Sequence, residues 1–205
     1  MLLSVDNLSV SRGGISLFEG LNFTVSSGQF VSINGGNGVG KTSLLRSIAG
    51  LQPIDKGKIV VHADNFIFSG DANGIKSTLT VLENLRFWSA IFGGKNLHQA
   101  LEKFQLKQLT NRFAGKLSAG QKRRLSLARL LLIDRPIWLL DEPTVSLDKK
   151  SMEEFSKILK NHLEAGGAAV VATHIDLGLT LSSLNINLED YQMKKGIIIA
   201  SAMSF

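Results

Sequence analysis

The chain contains no cysteine. That excludes disulfides, thiolate metal sites and a cysteine nucleophile, and it leaves the redox compartment undecided. An apolar run long enough for a bilayer is also lacking. The stretch from Leu125 to Leu140 is cut by Arg129, Asp134 and Arg135, short of the roughly 20 apolar residues a spanning helix needs. No basic region precedes an apolar run near Met1, where Asp6 stands instead, so a secretory signal is not expected. These absences lead to the expectation of a cytoplasmic protein. Internal repeats and low-complexity linkers are missing too, and 205 residues suit one domain with a full core. A composition of 44% hydrophobic and 20% charged residues argues against disorder. The net charge of +6 admits nucleic acid or an anionic membrane surface as a partner. Yet the basic groups Lys122–Arg124, Lys149-Lys150 and Lys194-Lys195 carry no interleaved aromatics. They read as a solvated or membrane-proximal surface, and no nucleic acid is expected.

What is present alternates between strand and helix. The N-terminal part reads as strands and turns, with Ser26-Ser27-Gly28 before the apolar run Phe30 to Ile33. A glycine-rich loop follows, then a helix with Leu44, Leu45 and Ile48 on one face, ended by Gly50. The middle is more helical. Thr80 and Glu83 form a capping box that opens an amphipathic segment through Leu85 and Trp88 to Gly93-Gly94. Leu97, Leu101 and Phe104 suit another helix, and Ser118 and Gln121 form a second capping box leading through Leu125, Ala128 and Leu132. Ile137 to Leu140 is a continuous apolar run, as a parallel strand buried on both faces requires. A helix over 149–165 turns Met152, Phe155, Ile158, Leu159 and Leu163 inward, and a second buried strand runs from Ala168 to Thr173. Gly196 to Ala200 is expected to close a sheet edge. The order implies an α/β core interrupted by helices near 75–132.

Gly35-Gly36-Asn37-Gly38-Val39-Gly40-Lys41-Thr42 fits the phosphate-loop pattern G-x-x-x-x-G-K-[ST] between a buried strand and a helix. Its glycines let backbone N–H groups approach phosphates, and the helix start adds its positive dipole end. Lys41 is expected to reach the β- and γ-phosphates of ATP, Thr42 to ligate Mg²⁺, and Ser43 to complete the nucleotide-contacting set. A ligand-free glycine turn is the plainer alternative, and the complete motif in this context argues against it. After Ile137–Leu140, Asp141 and Glu142 emerge at the C-terminal end of the strand, where open α/β sheets bind ligands. Asp141 is expected to hold Mg²⁺, and Glu142 to polarise the water attacking the γ-phosphate. Alone, Asp-Glu after a strand is often a solvated turn. Paired with the phosphate loop it is a site.

Leu117-Ser118-Ala119-Gly120-Gln121 resembles the signature motif of ABC ATPases, and its order and spacing, 23 residues (141 − 118) before Asp141, fit that superfamily. Ser118, Gly120, Gln121 and the free N–H groups of this helix start form a candidate anion receptor. Lys122, Arg123 and Arg124 sit in its first turn, where cations oppose the helix dipole, a cost that a nearby anion would offset. Ser146-Leu147-Asp148 resembles the D-loop of the superfamily, and His174 resembles its switch histidine, a γ-phosphate contact. His62, His98 and His162 carry no expected role. The resemblance implies a single domain over 1–205 of class α/β. This is a P-loop NTPase core of ABC type with a mixed sheet, N-terminal antiparallel strands and a helical subdomain at about 75–132. It also implies a homodimer, because in that family the signature of one copy closes on nucleotide held by the other.

Gly74–Phe87 and Leu117–Arg129 are similar to the haem exporter ATP-binding subunits of bacterial cytochrome c maturation. That resemblance implies an ATPase bound to separate integral membrane subunits, peripheral on the cytoplasmic face of the inner membrane. Its hydrolysis would drive haem delivery or release of a loaded haem chaperone. Two positions depart from the ABC pattern. The loop Ser69–Gly74 has no glutamine, with Asp71 or Asn73 as possible stand-ins, and Arg12 lies where an adenine-stacking aromatic is usual. Another ABC exporter, a soluble ABC protein acting on nucleic acid or ribosomes, and a non-hydrolysing nucleotide module are the competing readings. A partner groove is expected between the Ser69–Gly74 loop and the Thr80–Gly93 helix, near Phe87, Trp88, Ile91 and Phe92.

Overall fold

The computed structural model describes residues 1–61, 66–70, 74–94, 96–175, 177–178 and 183–192. Asp71, Asn73, His62, Lys194-Lys195 and the run Gly196–Ala200 lie outside the described residues.

Two sheets carry the fold. The first is antiparallel, with β1 (Leu3–Arg12) paired on one side to β2 (Ile15–Val25) and on the other to β4 (Lys56–Val61). The second is parallel throughout, in the order β5 (Phe66–Ser69), β6 (Ile137–Asp141), β7 (Ala168–Ala172), β3 (Phe30–Asn34), β8 (Ser183–Asn187). The antiparallel and parallel strands thus occupy separate sheets rather than one mixed sheet. β8 holds the described edge beside β3.

Continuous apolar strands are needed because both faces of the parallel sheet are covered. Along β6, Ile137 and Leu139 point into one core, with α1 (Lys41–Ile48) and the antiparallel sheet. Trp138 and Leu140 point into the other, with α5 (Lys149–Glu164) and the helices between β5 and β6. Those are α2 (Val81–Phe92), α3 (Leu97–Lys103) and α4 (Ala119–Ala128). On α5, Phe155, Ile158, Leu159 and Leu163 are buried as their spacing requires, and Met152 is half-buried. Burying Phe155 alone contributes about 1.5–3 kcal/mol. Both expected capping boxes are formed. The periodic pattern through Leu132 shortens, because α4 ends at Ala128 and a 3-10 turn takes over 129–131.

Strand order now places the chemistry. β6, β7 and β3 are neighbours, with Asp141 opposite Ala172 and Ile33 opposite Ala172 in register. The residues that follow β3, β6 and β7 therefore emerge side by side at the C-terminal end of these parallel strands.

Candidate functional site

The loop between β3 and α1 is shaped by glycines where nothing else fits. Gly35 and Gly40 have φ of 129° and 114°, in the left-handed half of the map that L side chains avoid. A Cβ on Gly40 would also stand 3.1 Å from Leu17 and Phe18. Helix α1 has no side-chain cap and no acid in its first turn. Its first N–H groups and its dipole therefore face the loop without a capping side chain or an acid from its own first turn.

Lys41 is buried, and its ammonium donates to Gly35 O at 2.6 Å and Gly36 O at 3.1 Å. It also lies 2.9 Å from Nε2 of His174, which follows β7. Thr42 Oγ1 donates to Asp141 Oδ2 at 2.7 Å. Glu142 takes a left-handed φ of 44°, with its N–H bonded to Ala172 O at 2.8 Å across to β7. That backbone turns its carboxylate to within 3.3 Å of the same His174 nitrogen. One nitrogen thus faces an ammonium and a carboxylate. Protonated, it donates to Glu142; neutral, it accepts from Lys41. A non-glycine residue held in this conformation costs of order 1–3 kcal/mol, and such residues cluster at active sites.

A cavity of about 330 Å³ is lined by Asn37, Gly38, Gly40, Lys41, Thr42, Ser43, Asp141 and Glu142, with Arg12 and Leu17 at its side. A neighbouring cavity of about 460 Å³ shares Arg12, Thr42, Ser43 and Asp141 and adds Arg46. Together they offer a cation-rimmed cleft beside the loop. Among the described residues no group of three or more His, Asp or Glu side chains could hold a metal by itself. The paired hydroxyl of Thr42 and carboxylate of Asp141 are hard oxygen donors. They fit Mg²⁺, which takes one or two protein oxygens and completes its shell with water and phosphate. A larger cavity, of about 570 Å³, lies among Phe92, Leu132 and Trp138 at the start of β6 and contains none of these residues.

Ser118, Gly120 and Gln121 line neither cavity of this cleft. They begin α4, where Gln121 N–H donates to Ser118 Oγ and Ser118 N–H donates to Gln121 Oε1. A Cβ on Gly120 would come 2.7 Å from Ser146 O, so glycine alone permits this approach to the segment after Glu142. Asp148 also stands outside the cleft. Its carboxylate caps α5 by accepting from Ser151 N–H at 2.8 Å, and the Ser151 bonds hold its pKa below the usual carboxylate value.

The basic triplet needs a correction. Arg123 does not offer itself to phosphate: it is buried and donates to Gly70, Asp141, Glu142 and Pro143 carbonyls. It ties α4 to the backbone that presents Glu142, a role missed in the sequence because those partners are 18 to 53 residues away. Arg129, also buried, lies over the Trp88 ring, and burial followed by the charge of Arg123 lowers its pKa to about 10. His162 stacks on Trp138 at 3.8 Å in a structural contact, with burial lowering its pKa. Phe87, Trp88 and Phe92 form a chain of ring contacts along α2, with Ile91 exposed beside them.

No described helix is long and apolar enough to cross a membrane. The profile of the ABC transporter family matches residues 18–145. The chain is 52% identical to the cytochrome c biogenesis ATP-binding export protein CcmA of Ruegeria pomeroyi, covering 91% of both chains. It is 55% identical to the protein of the same name from Paracoccus denitrificans, over 87% of this chain and 85% of that one. Among solved structures, it is similar to a putative ABC transporter ATP-binding protein from Pyrococcus furiosus. The TM-score there is 0.81, with 27% identity over 93% of this chain and 99% of that one. It also resembles the dimeric post-hydrolysis ATP-binding cassette MJ0796 bound to ADP and Pi. That match has a TM-score of 0.72 and 25% identity over 85% of this chain and 88% of that one.

Proposed function

Since the chain belongs to the ABC transporter family, among its CcmA-type ATP-binding export proteins, we propose that it hydrolyses ATP to power haem export or release of a loaded haem chaperone in cytochrome c maturation. The observation that carries the mechanism is the His174 nitrogen standing 2.9 Å from Lys41 and 3.3 Å from Glu142, beside the Thr42–Asp141 pair. Lys41 exchanges its loop carbonyls for the β- and γ-phosphates, and the glycine loop and the start of α1 surround them with N–H groups. Thr42 and Asp141 would hold Mg²⁺, which when bound would supply charge neutralisation at the phosphates. Glu142 accepts a proton from the water that attacks the γ-phosphorus, so that ADP and inorganic phosphate leave. His174, 2.9 Å from the Lys41 ammonium, is placed to contact the γ-phosphate beside it.

Residues 1–205 form one ATPase domain with its helical part at about 75–132. Because Ser118, Gly120, Gln121 and Asp148 lie outside the cleft of their own chain, they act on nucleotide held by a second copy, giving a homodimer with two composite sites. The dimer is peripheral on the cytoplasmic face of the inner membrane. Integral membrane subunits dock on the groove beside α2, where Phe87, Trp88, Ile91 and Phe92 present apolar surface. Retrieval of tagged Glu142→Gln protein from detergent-solubilised membranes with ATP tests this. Haem-handling membrane subunits are the expected companions. A different permease would remove the haem assignment, and ribosomes or nucleic acid alone would remove the transporter.

A further inference from the structure

The phosphate loop is gripped from both sides, and the outer grip belongs to a residue that no motif contains. Inside, Lys41 donates to Gly35 O and Gly36 O. Outside, Gly36 N–H donates to Glu189 Oε1 at 2.8 Å, across 153 positions of sequence. The carboxylate sits on a 3-10 turn over Leu188–Tyr191 that is itself fixed. Leu188 is fully buried beneath it, and Asn187 caps the turn by accepting from Glu189 N–H at 3.2 Å. Asn187 Oδ1 also stands 3.4 Å from the position a Cβ would take on Gly35, and Glu189 Oε1 stands 3.2 Å from the one on Gly36. The two glycines let this turn approach the loop backbone directly.

We propose that Glu189 is a positioning residue for nucleotide binding. Resting on the nucleotide site proposed above, the argument turns on what Lys41 does. When its ammonium moves to phosphate, Gly35 O and Gly36 O lose their strongest donor. Among the described residues, the remaining hold on Gly36 is then Glu189, with a long 3.4 Å bond from Val39 N–H to Gly36 O. A charge-assisted bond of this kind is about twice as strong as a neutral one. It keeps the loop in its phosphate-ready form at the moment the inner grip is released, and it lies on the side of the backbone opposite Lys41, so the carboxylate braces the loop without occupying it.

The test measures ATP affinity by calorimetry with Mg²⁺ on the full chain, together with KM and kcat for hydrolysis by the purified membrane complex. Glu189→Ala is expected to weaken ATP binding on the order of tenfold, the scale of one lost hydrogen bond to a charged group. KM should rise in step, with kcat changed by less than about twofold. Glu189→Gln keeps a neutral acceptor for Gly36 N–H and should recover part of the affinity, leaving a loss of about threefold. Unchanged or tighter ATP binding by Glu189→Ala overturns the proposal. So does a loss that Gln does not recover, or one accompanied by an equal fall in kcat. Wild-type protein and Lys41→Ala run alongside: if wild type fails to bind ATP, the nucleotide site itself is lost, a failure separate from that of the brace.

Discussion

Helices α2 and α4 begin with the same local device and finish it with different charges. At α2, Thr80 Oγ1 accepts from Glu83 N–H, while the Glu83 carboxylate accepts from Thr80 N–H at 2.7 Å and from its hydroxyl at 2.8 Å. At α4, Ser118 and Gln121 make the matching pair of bonds with an amide in place of the carboxylate. The consequence lies in the helix dipole. Glu83 places a full negative charge on the positive end of α2, whereas the first turn of α4 contains no acid. One helix start is electrically closed by its own chain, and the other is left to be completed from outside. Buried polar side chains repeat the contrast. Among the described residues, the Asn84 side chain bonds only to the segment leading into its own helix, at Lys76, Leu79 and Thr80. Arg123 reaches the backbone around Glu142. The first arrangement holds a helix in place; the second connects the start of α4, proposed above as an anion receptor, to the strand end that carries Glu142.

The sharpest way to break this comparison is to make α4 resemble α2. Gln121→Glu preserves the acceptor for Ser118 N–H, so the melting temperature should hold or rise slightly. Hydrolysis by the assembled protein should fall on the order of 100-fold, because a carboxylate would then face the γ-phosphate in the composite site proposed above. Steady-state phosphate release measured beside thermal melting separates the two effects. Parent-level hydrolysis would mean that the neutral box has no electrical purpose. A smaller effect is expected when the connection is cut instead. Arg123→Ala strips a buried donor from four carbonyls and should destabilise by about 3 kcal/mol in denaturant titration. Arg123→Lys should recover part of this, since one ammonium cannot reach all four. A loss below about 1 kcal/mol would show that water replaces the guanidinium freely.

What could be read in the sequence was local. Both capping boxes lie within four residues, the phosphate loop within eight, and the apolar run of β6 announces a strand buried on two faces. The α/β class and the placing of Asp141 and Glu142 at a strand end follow from such short patterns. Asp148 is legible too, as an acid directly before a helix with Ser151 three residues on, the pattern of the cap it forms. β8 was hidden because Ser183–Asn187 alternates weakly, and only its register against β3 makes it a strand. Arg123 was read as one of three dipole-opposing cations, since its partners belong to the β5 end and the β6 turn. The Glu189–Gly36 bond is more remote still. No periodicity or spacing reports a contact between a turn near the end of the described chain and a loop near its beginning.

The smallest expected effect probes the α2 side of the comparison. The Thr80 backbone bond first, and then the Thr80 side-chain bond, hold the Glu83 pKa below its ordinary value. A carboxylate whose folded pKa is depressed binds its proton more weakly when folded than when unfolded. Its contribution to stability is therefore complete above the unfolded pKa and is lost as pH falls through the folded one. Glu83→Gln makes the α2 capping box as neutral as that of α4, so it should lower stability slightly at neutral pH and leave it unchanged in acid. The variant's melting curve against pH should converge with that of the parent below the ordinary carboxylate range. Because Glu83 is exposed to solvent and salt, the gap should also narrow in high salt. Convergence in acid together with parallel curves in salt would assign the box to short-range hydrogen bonding. Convergence in both would assign it to charge at the helix end, the property that separates α2 from α4.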